Sequence, residues 1–240
     1  MKKIIVGISG ASGAIYGIRL LEVLRGVEGI ETHLVLSPAG RRTIDLETDL
    51  TAAQVEALAD RVYRPGDIAA AISSGSFRSV GMVVAPCSMK TASGIATSYS
   101  DNLLLRAADV TLKDRRRLVL LVRETPLHLG HLRLLVQLAE MGAVVMPPVP
   151  AFYHRPRALE DVIDQTVNRV LDLLDIELDR DLFPRWQGPP GSRSTGGTEP
   201  THIPPPAGGR GNGPLSSNDV SEEIRKRVVT HWERDGYGPT

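Results

Sequence analysis

The amino-acid sequence predicts an α/β protein whose core is a parallel sheet. Short apolar runs of the kind found in buried parallel strands recur along the chain, and segments with helical spacing of apolar residues separate them. The first run passes through a glycine-rich turn into a helix over 14–27, which is the order of strand, turn and helix that α/β proteins repeat. The strands are predicted at 4–6, 32–36, 80–85, 118–122 and 143–146.

Length, charge and cysteine content bound the class of protein. The 240 residues suffice for one domain with an appendage, and the formal net charge of zero argues against a general nucleic-acid binder. The single cysteine, Cys87, excludes an intramolecular disulfide and a cysteine-based zinc site. Beside a helix start Cys87 could act as a nucleophile, but a buried small side chain is the favoured interpretation. Without a signal peptide or an apolar membrane span, we expect a soluble, cytoplasmic protein.

Three glycines mark the turn between the first strand and the first helix. Gly7, Gly10 and Gly13 follow the spacing G-x-x-G-x-x-G, which differs from the G-x-G-x-x-G of dinucleotide-binding proteins. Backbone N–H groups at such a helix start bind anions, and Ser12 adds a hydroxyl, so we expect a phosphate here. The phosphate of flavin mononucleotide (FMN) is compatible with this pattern. A tight turn that binds nothing is the alternative.

Two further strand ends carry polar side chains. Ser37 follows the second strand, where a dinucleotide-binding protein has Asp or Glu, and it either contacts a ligand or caps the next helix. Ser88, Lys90 and Thr91 follow the strand at 80–85 and precede a helix, so they form a second group of donors for an anion. Ligands of open α/β sheets bind at this end of the strands.

The helix predicted over 102–113 places charged residues on one face. Asp101 is the expected N-cap, and Arg106, Asp109 and Lys113 recur at helical spacing. These three residues form either an exposed ion ladder of small energetic value or a cationic wall for a phosphate.

A charged pair follows the apolar strand at 118–122. Arg123 and Glu124 stand at the carboxyl end of this strand, where charges are costly unless they are paired or bound to a ligand. We favour a functional site over a salt bridge, because active sites collect at this edge. His128 and His131 could bind a metal, but no third ligand is apparent nearby.

The last third of the chain has a stiff connector, one helix and a tail. The connector 147–154 contains three prolines that fix the direction of Tyr153. A helix over 159–174 follows and carries Arg169, about which the local sequence says little. The Gly- and Pro-rich stretch over 188–215 predicts a flexible linker, and 216–240 predicts a tail with a short helix.

In order along the chain, these motifs resemble the flavin prenyltransferase family, which is also described as UbiX-like and as a component of hydroxyarylic (phenolic) acid decarboxylases. The resemblance covers 1–187, and the ordered set is highly specific although each motif alone is weak. The motifs are Gly10-Ala11-Ser12-Gly13-Ala14, Ser37, Glu47-Thr48-Asp49, Ser74-Gly75-Ser76, Pro86-Cys87-Ser88-Met89-Lys90-Thr91, Arg106-Ala107-Ala108-Asp109-Val110 with Lys113, Arg123-Glu124-Thr125-Pro126-Leu127, Pro150-Ala151-Phe152-Tyr153 and Arg185-Trp186.

The resemblance implies a fold, a reaction and an assembly. The fold is a flavodoxin-like (Rossmann-like) doubly wound parallel sheet in three αβα layers, and the chains assemble into a homododecamer. The reaction transfers a dimethylallyl group from dimethylallyl phosphate to N5 and C6 of reduced FMN without a metal. The prenylated FMN then passes to a UbiD-type decarboxylase.

The resemblance also assigns roles to individual residues of this sequence. Glu47 and Glu124 handle protons and orient cations, Lys113 serves as a catalytic cation, and Trp186 stabilises the carbocation character of the departing dimethylallyl group. Tyr153 and Arg169 hold the prenyl phosphate. The FMN-binding residues are Gly10, Ala11, Ser12, Ser37, Ser88, Met89, Lys90, Thr91, Arg106 and Arg123.

The sequence departs from the family at two places and leaves two alternatives open. His128 stands where the family often has serine, and nothing after Gly188 has a family counterpart. A flavin-dependent cysteine decarboxylase of the same fold is one alternative, although no histidine base near the first helix supports it. An FMN-binding accessory protein without transferase activity is the other.

Overall fold

Six parallel strands form the middle layer of the domain, and the computed structural model describes residues 1–188. The strands are β1 (Lys2–Ile8), β2 (Ile30–Leu36), β3 (Arg61–Tyr63), β4 (Gly81–Cys87), β5 (Arg117–Val122) and β6 (Val144–Val145). Across the sheet they run in the order β3-β2-β1-β4-β5-β6, and every neighbouring pair is parallel.

Helices cover both faces of the sheet. They are α1 (Ala14–Arg25), α2 (Pro38–Glu47), α3 (Ala52–Glu56), α4 (Met89–Ala96), α5 (Leu103–Lys113), α6 (Leu129–Glu140) and α7 (Leu159–Leu173), and a 3₁₀ helix covers Ala71–Ser73. α1 packs against α7 on one face, while α4 packs against α5 and α6 on the other.

Successive strand residues enter two separate cores. Ile4, Val6 and Ile8 pack with α1 and α7, whereas Ile5 on the same strand belongs to the core beneath α4 and α5. Because both faces of the sheet are buried at its centre, β1, β4 and β5 are continuous apolar runs over most of their length, whereas β2 also buries Thr32 and His33.

The strand order defines a topological switch point between β1 and β4. The connection after β1 leads to β2 on one side, whereas β4 lies on the other side, so a crevice opens between the loops at the carboxyl ends of β1 and β4. Without the short edge strand β3, this is the flavodoxin-like strand order. The predicted doubly wound sheet in three αβα layers is confirmed.

Three local features refine the sequence-based expectations. No sequence pattern predicts β3, which covers only Arg61–Tyr63 and is too short for a periodic signal. The prediction of Asp101 as the N-cap of α5 was wrong by one residue: the Asn102 side chain accepts a hydrogen bond from the Leu105 N–H at 3.1 Å. α1 ends at Arg25, two residues before the predicted end, because Gly26 caps it.

The predicted linker over 188–215 lies, apart from Gly188, outside the described residues, as does the predicted tail over 216–240. Both stay predictions, as does the domain boundary at 187.

Candidate active site

A buried serine ties together the loops that follow β1 and β4. Ser9 is 1% exposed; its hydroxyl donates to the Pro86 carbonyl at 2.9 Å and accepts from the Ser88 N–H at 2.8 Å. The two walls of the crevice are therefore fixed relative to each other.

The loops after β2 and β5 are held by backbone hydrogen bonds. The Ser37 N–H donates to the Ile8 carbonyl at 3.0 Å, and the Arg123 N–H donates to the Cys87 carbonyl at 3.1 Å. The side chains of Arg123 and Glu124 are exposed at this edge, where a ligand can reach them.

A carboxylate from the end of α2 occupies the N-terminus of α1. Glu47 Oε2 accepts hydrogen bonds from the Gly13 N–H at 2.8 Å and the Ala14 N–H at 3.1 Å. Gly13, the N-cap residue, makes no side-chain cap, so this distant carboxylate satisfies donors that a helix start leaves free. The position predicted for a phosphate thus already holds an anion from the chain itself.

Ser12 and Arg123 favour the ionised form of Glu47. Burial on its own raises the pKa of Glu47, but the Ser12 hydroxyl, the Gly13 and Ala14 N–H groups and the charge of Arg123 together hold the pKa below its usual value. Glu47 is therefore a carboxylate at neutral pH and can accept a proton. Of the predicted site residues, Ser12 and Arg123 are thus near enough to Glu47 to act on its charge.

Gly10 and Gly13 are each required in the first turn, but for different physical reasons. Gly13 has a φ of 101°, a left-handed conformation that favours glycine. A Cβ on Gly10 would lie 2.3 Å from the Cβ of Ala39, so Gly10 allows α2 to approach the turn. Ala11 follows Gly10 and donates its N–H to the Ser9 carbonyl at 3.1 Å.

Two serines cap the helices that follow β2 and β4. Ser37 Oγ accepts from the Gly40 N–H at 2.9 Å, so Ser37 caps α2, and its contact with FMN stays a prediction. Ser88 Oγ accepts from the Thr91 N–H at 3.3 Å and lies 3.2 Å from Thr91 Oγ1. Met89 and Lys90 form the first turn of α4, and the Lys90 side chain is exposed. The cap of α4 is thus a neutral hydroxyl, unlike the carboxylate at α1.

The structure shows the roles of two other side chains, Cys87 and His128. Cys87 is fully buried, and burial raises the pKa of its thiol to about 12, which confirms its interpretation as a small buried side chain. His128 caps α6: its Nδ1 accepts from the Gly130 N–H at 3.0 Å, and its ring centroid lies 3.5 Å from that of His131. Within residues 1–188, no group of three or more His, Cys, Asp or Glu side chains could hold a metal.

Two predicted cations on α5 lie away from this cluster. α5 ends at Lys113 just before β5 begins, so Lys113 lies at the sheet edge opposite to Arg123. Lys113 pairs with Asp114 at 2.9 Å, and Arg106 pairs with Asp109 at 2.8 Å. Within one chain, the structure does not bring Arg106 and Lys113 together with Glu47.

The predicted prenyl-phosphate residues lie near the end of the domain. The rings of Tyr153 and Trp186 are 6.0 Å apart between centroids, and the side chains are 47% and 63% exposed. Arg169 on α7 pairs with Asp172 at 2.8 Å, and Asp172 also binds Arg185. Arg185 and Trp186 therefore connect Tyr153 to the part of α7 that carries Arg169.

Sequence reasoning missed two residues that organise these groups. Ser9 gave no signal, because its burial depends on a loop that lies far away in the chain. Asp172 looked like one more charged residue on a helix, and only its contact with Arg185 distinguishes it.

Comparisons with known proteins identify the family. The model of the family described as Flavoprotein matches residues 1–172. Over 188 residues the chain is 69% identical to flavin prenyltransferase UbiX of Escherichia coli, and the match covers 78% of this chain and all of that relative.

Solved structures agree. The crystal structure of AnUbiX in complex with FMN and dimethylallyl pyrophosphate matches with a TM-score of 0.75 and 51% identity, covering 78% of this chain and 98% of that chain. A dodecameric FMN-dependent UbiX-like decarboxylase from Escherichia coli matches with a TM-score of 0.75 and 50% identity, over 78% of this chain and 100% of that chain.

Fold, crevice and family match define a flavoprotein enzyme. More particularly, the chain belongs to the flavin prenyltransferases of the UbiX type, and the resemblance inferred from its motifs is confirmed. None of the helices in residues 1–188 combines the length and the apolarity that crossing a lipid bilayer requires.

Proposed function

We propose that this protein transfers a dimethylallyl group from dimethylallyl phosphate to N5 and C6 of reduced FMN. The carbon–oxygen bond of the donor breaks, phosphate leaves, and the flavin gains a fourth ring. The Escherichia coli relative at 69% identity is a flavin prenyltransferase, and AnUbiX was crystallised with FMN and dimethylallyl pyrophosphate. Monophosphate and pyrophosphate donors would both present anionic phosphate oxygens to the cations of the site.

The FMN phosphate fits the N-terminus of α4 better than that of α1. At α1 it would face the Glu47 carboxylate, and two anions in one site repel each other. At α4 the cap is the neutral Ser88, and Lys90 and Thr91 add a charge and a hydroxyl. The flavin ring would then lie towards Ser12 and Glu47.

The observation that carries the proposal is the Glu47 carboxylate, which the Gly13 and Ala14 N–H groups hold at the switch point. The Ser12 hydroxyl and the charge of Arg123 also lower its pKa. Forming a bond at a ring carbon of the flavin releases a proton, and a fixed carboxylate beside the crevice can accept it. Glu124 follows Arg123 at the same edge and accepts from the Thr125 N–H at 3.1 Å. Its side chain is exposed beside Arg123.

Phosphate departure without a metal requires fixed cations, and one chain does not gather all of them. Arg106 and Lys113 lie away from Arg123, so we infer that a neighbouring copy supplies them. Val136 on α6 and Phe152 after β6 are 57% and 71% exposed, and large apolar side chains of this kind are typical of protein interfaces. A dodecamer, the state of the UbiX-like relative, would provide the neighbours.

Mixed oligomers test this shared site. Glu47→Gln and Lys113→Ala chains should each be inactive alone, but oligomers assembled from equal amounts of both should regain about a quarter of the activity, since random pairing reunites the two intact halves at that frequency. No recovery in a mixed oligomer would place both residues in one chain's site.

The reaction itself is tested anaerobically. The protein is mixed with reduced FMN and dimethylallyl phosphate or pyrophosphate, and the released flavin is weighed by mass spectrometry. We expect a flavin heavier by one C5H8 unit. Unmodified FMN bound to every chain would indicate an accessory protein without transferase activity.

We further propose that the product passes to a UbiD-type decarboxylase and that the protein is cytoplasmic. Both expectations come from the sequence and stay predictions. Adding the reaction mixture to an apo-decarboxylase of this type tests the first, and the expected result is decarboxylation that depends on the donor.

A further inference from the structure

Asp172 on α7 is shared by two arginines, and only one of them has a predicted role. We propose that Asp172 is a positioning residue that holds Arg169 and, through Arg185, the Tyr153–Trp186 pair for the phosphate end of the prenyl donor. This role rests on the proposed function, in which Arg169 and Tyr153 bind that donor.

Both oxygens of Asp172 are engaged. Oδ2 accepts from Arg169 Nη1 at 2.8 Å and from Arg185 Nη1 at 3.0 Å, while Oδ1 accepts from Arg185 Nη2 at 2.7 Å. The Arg185 guanidinium, followed by the charge of Arg169, lowers the pKa of Asp172, so the carboxylate is ionised at neutral pH.

The two arginines differ in how many of their donors are used. Arg185 also donates to Asp181 through Nε and Nη2, each at 2.6 Å, so all three of its nitrogens face carboxylates. Arg169 donates from Nη1 to Asp172, and its side chain is 47% exposed. A guanidinium has five N–H donors, so among residues 1–188 Arg169 keeps donors for a phosphate, whereas Arg185 acts as an anchor.

The anchor sets the position of an aromatic pair. Trp186 follows Arg185 directly, and its ring meets that of Tyr153 at 6.0 Å with an interplanar angle of 74°. The Tyr153 ring also lies 6.5 Å from that of Phe183, which is buried. Loss of the Asp172 carboxylate would therefore release Arg169 and loosen the segment that presents Trp186.

A matched pair of substitutions separates this role from a general effect of charge. Asp172→Asn keeps the shape of the side chain and removes its charge. Asp175→Asn, three residues later, removes a carboxylate that pairs with Arg117 at 2.7 Å and is 76% exposed. The full chain is used, with Trp232→Phe so that Trp186 is the only tryptophan.

We expect Asp172→Asn to raise KM for dimethylallyl phosphate about tenfold, which corresponds to the loss of one charged hydrogen bond. The affinity for FMN should stay within about twofold of the parent. Donor titration should change the Trp186 fluorescence of the parent and of Asp175→Asn, and Asp172→Asn should need about tenfold more donor. Asp181→Asn should alter the Trp186 emission with a smaller change in KM, because Arg169 keeps its partner.

Equal KM values for Asp172→Asn and Asp175→Asn would overturn the proposal. A parallel fall of kcat, FMN affinity and thermal stability in Asp172→Asn would also overturn it, because that result indicates a purely structural residue. A parent protein that does not prenylate FMN would instead refute the proposed function.

Discussion

Two strand-to-helix junctions flank the switch point, and they satisfy their helix N-termini in different ways. After β1, the N–H groups of Gly13 and Ala14 bind the carboxylate of Glu47, which comes from another helix. After β4, Ser88 caps α4 with its own hydroxyl. The first junction therefore contains a built-in anion, whereas the second has only neutral groups at its cap.

This difference shows that similar sequence patterns can form sites with different functions: one holds a carboxylate of the chain, and the other can bind a ligand anion. Both junctions have small residues between a buried strand and a helix, and either pattern alone suggests a phosphate site. At α1, however, the field of the helix fixes a proton acceptor in its ionised form, while at α4 it is available for a ligand anion. Four predictions test this division.

The largest effect is expected at the first junction. Glu47→Gln keeps the hydrogen bonds to α1 but removes the proton acceptor, so prenyl transfer should fall by about a hundredfold or more. FMN affinity should stay within about twofold, because the proposed phosphate site is the N-terminus of α4. Stopped-flow transfer rates and an FMN titration measure the two quantities.

The control for Glu47→Gln is Glu22→Gln, which removes an exposed carboxylate from α1 that pairs with Arg19 at 3.1 Å. It should leave both quantities unchanged. If Glu47→Gln weakened FMN binding as much as transfer, the two junctions would not have separate roles.

The next prediction concerns Ser9, whose hydrogen bonds join the two junctions. Ser9→Ala removes the buried hydroxyl between Pro86 and Ser88, so the free energy of unfolding should fall by about 2 kcal/mol, the cost of leaving buried partners unsatisfied. Thr111→Val, which removes a buried hydroxyl bonded within α5 at 2.7 Å, is the control and should cost less. Urea denaturation measures both variants, and equal losses would deny Ser9 a special role.

The features of this arrangement that could be predicted are those whose contacting residues are close together in the sequence. The buried strands and the cap at Ser37 follow from local patterns, and the structure confirms them. Local patterns do not predict the short strand β3, which has too few residues for a periodic signal. They also do not fix a helix boundary to one residue, so the cap at Asn102 was missed.

The candidate site, too, could be predicted from the sequence only in part. The ordered motifs identify the family, but no local pattern places Glu47 on the N-terminus of α1, because α2 must first pack on the turn at Gly10. The placement of Lys113 opposite to Arg123, by contrast, follows from the sequence, because the predicted strand at 118–122 separates the two residues. Long-range packing decides the contact of Glu47 with α1.

A smaller effect is expected at the second junction. Ser88→Ala removes the cap of α4 and a donor for the FMN phosphate, so FMN should bind about tenfold more weakly. Thr51→Ala removes a comparable cap from α3 and should change stability without changing FMN affinity. Isothermal titration with FMN compares the two, and an equal loss of affinity would assign the effect to stability alone.

The smallest effect is the pH dependence that Glu47 adds to stability. Its pKa is lower in the folded chain than in the unfolded chain, so its contribution is present above the unfolded pKa and is lost as the pH falls through the folded pKa. Because Glu47 is largely exposed, we expect only about 0.5 kcal/mol, the value typical of an anion at a helix N-terminus. The difference in unfolding free energy between the parent and Glu47→Gln should therefore shrink on acidification, and urea denaturation at neutral and acidic pH measures it. A difference that stays constant across this range would mean that the α1 N-terminus does not favour the charge of Glu47, and the contrast with the neutral cap of α4 would lose its electrostatic basis.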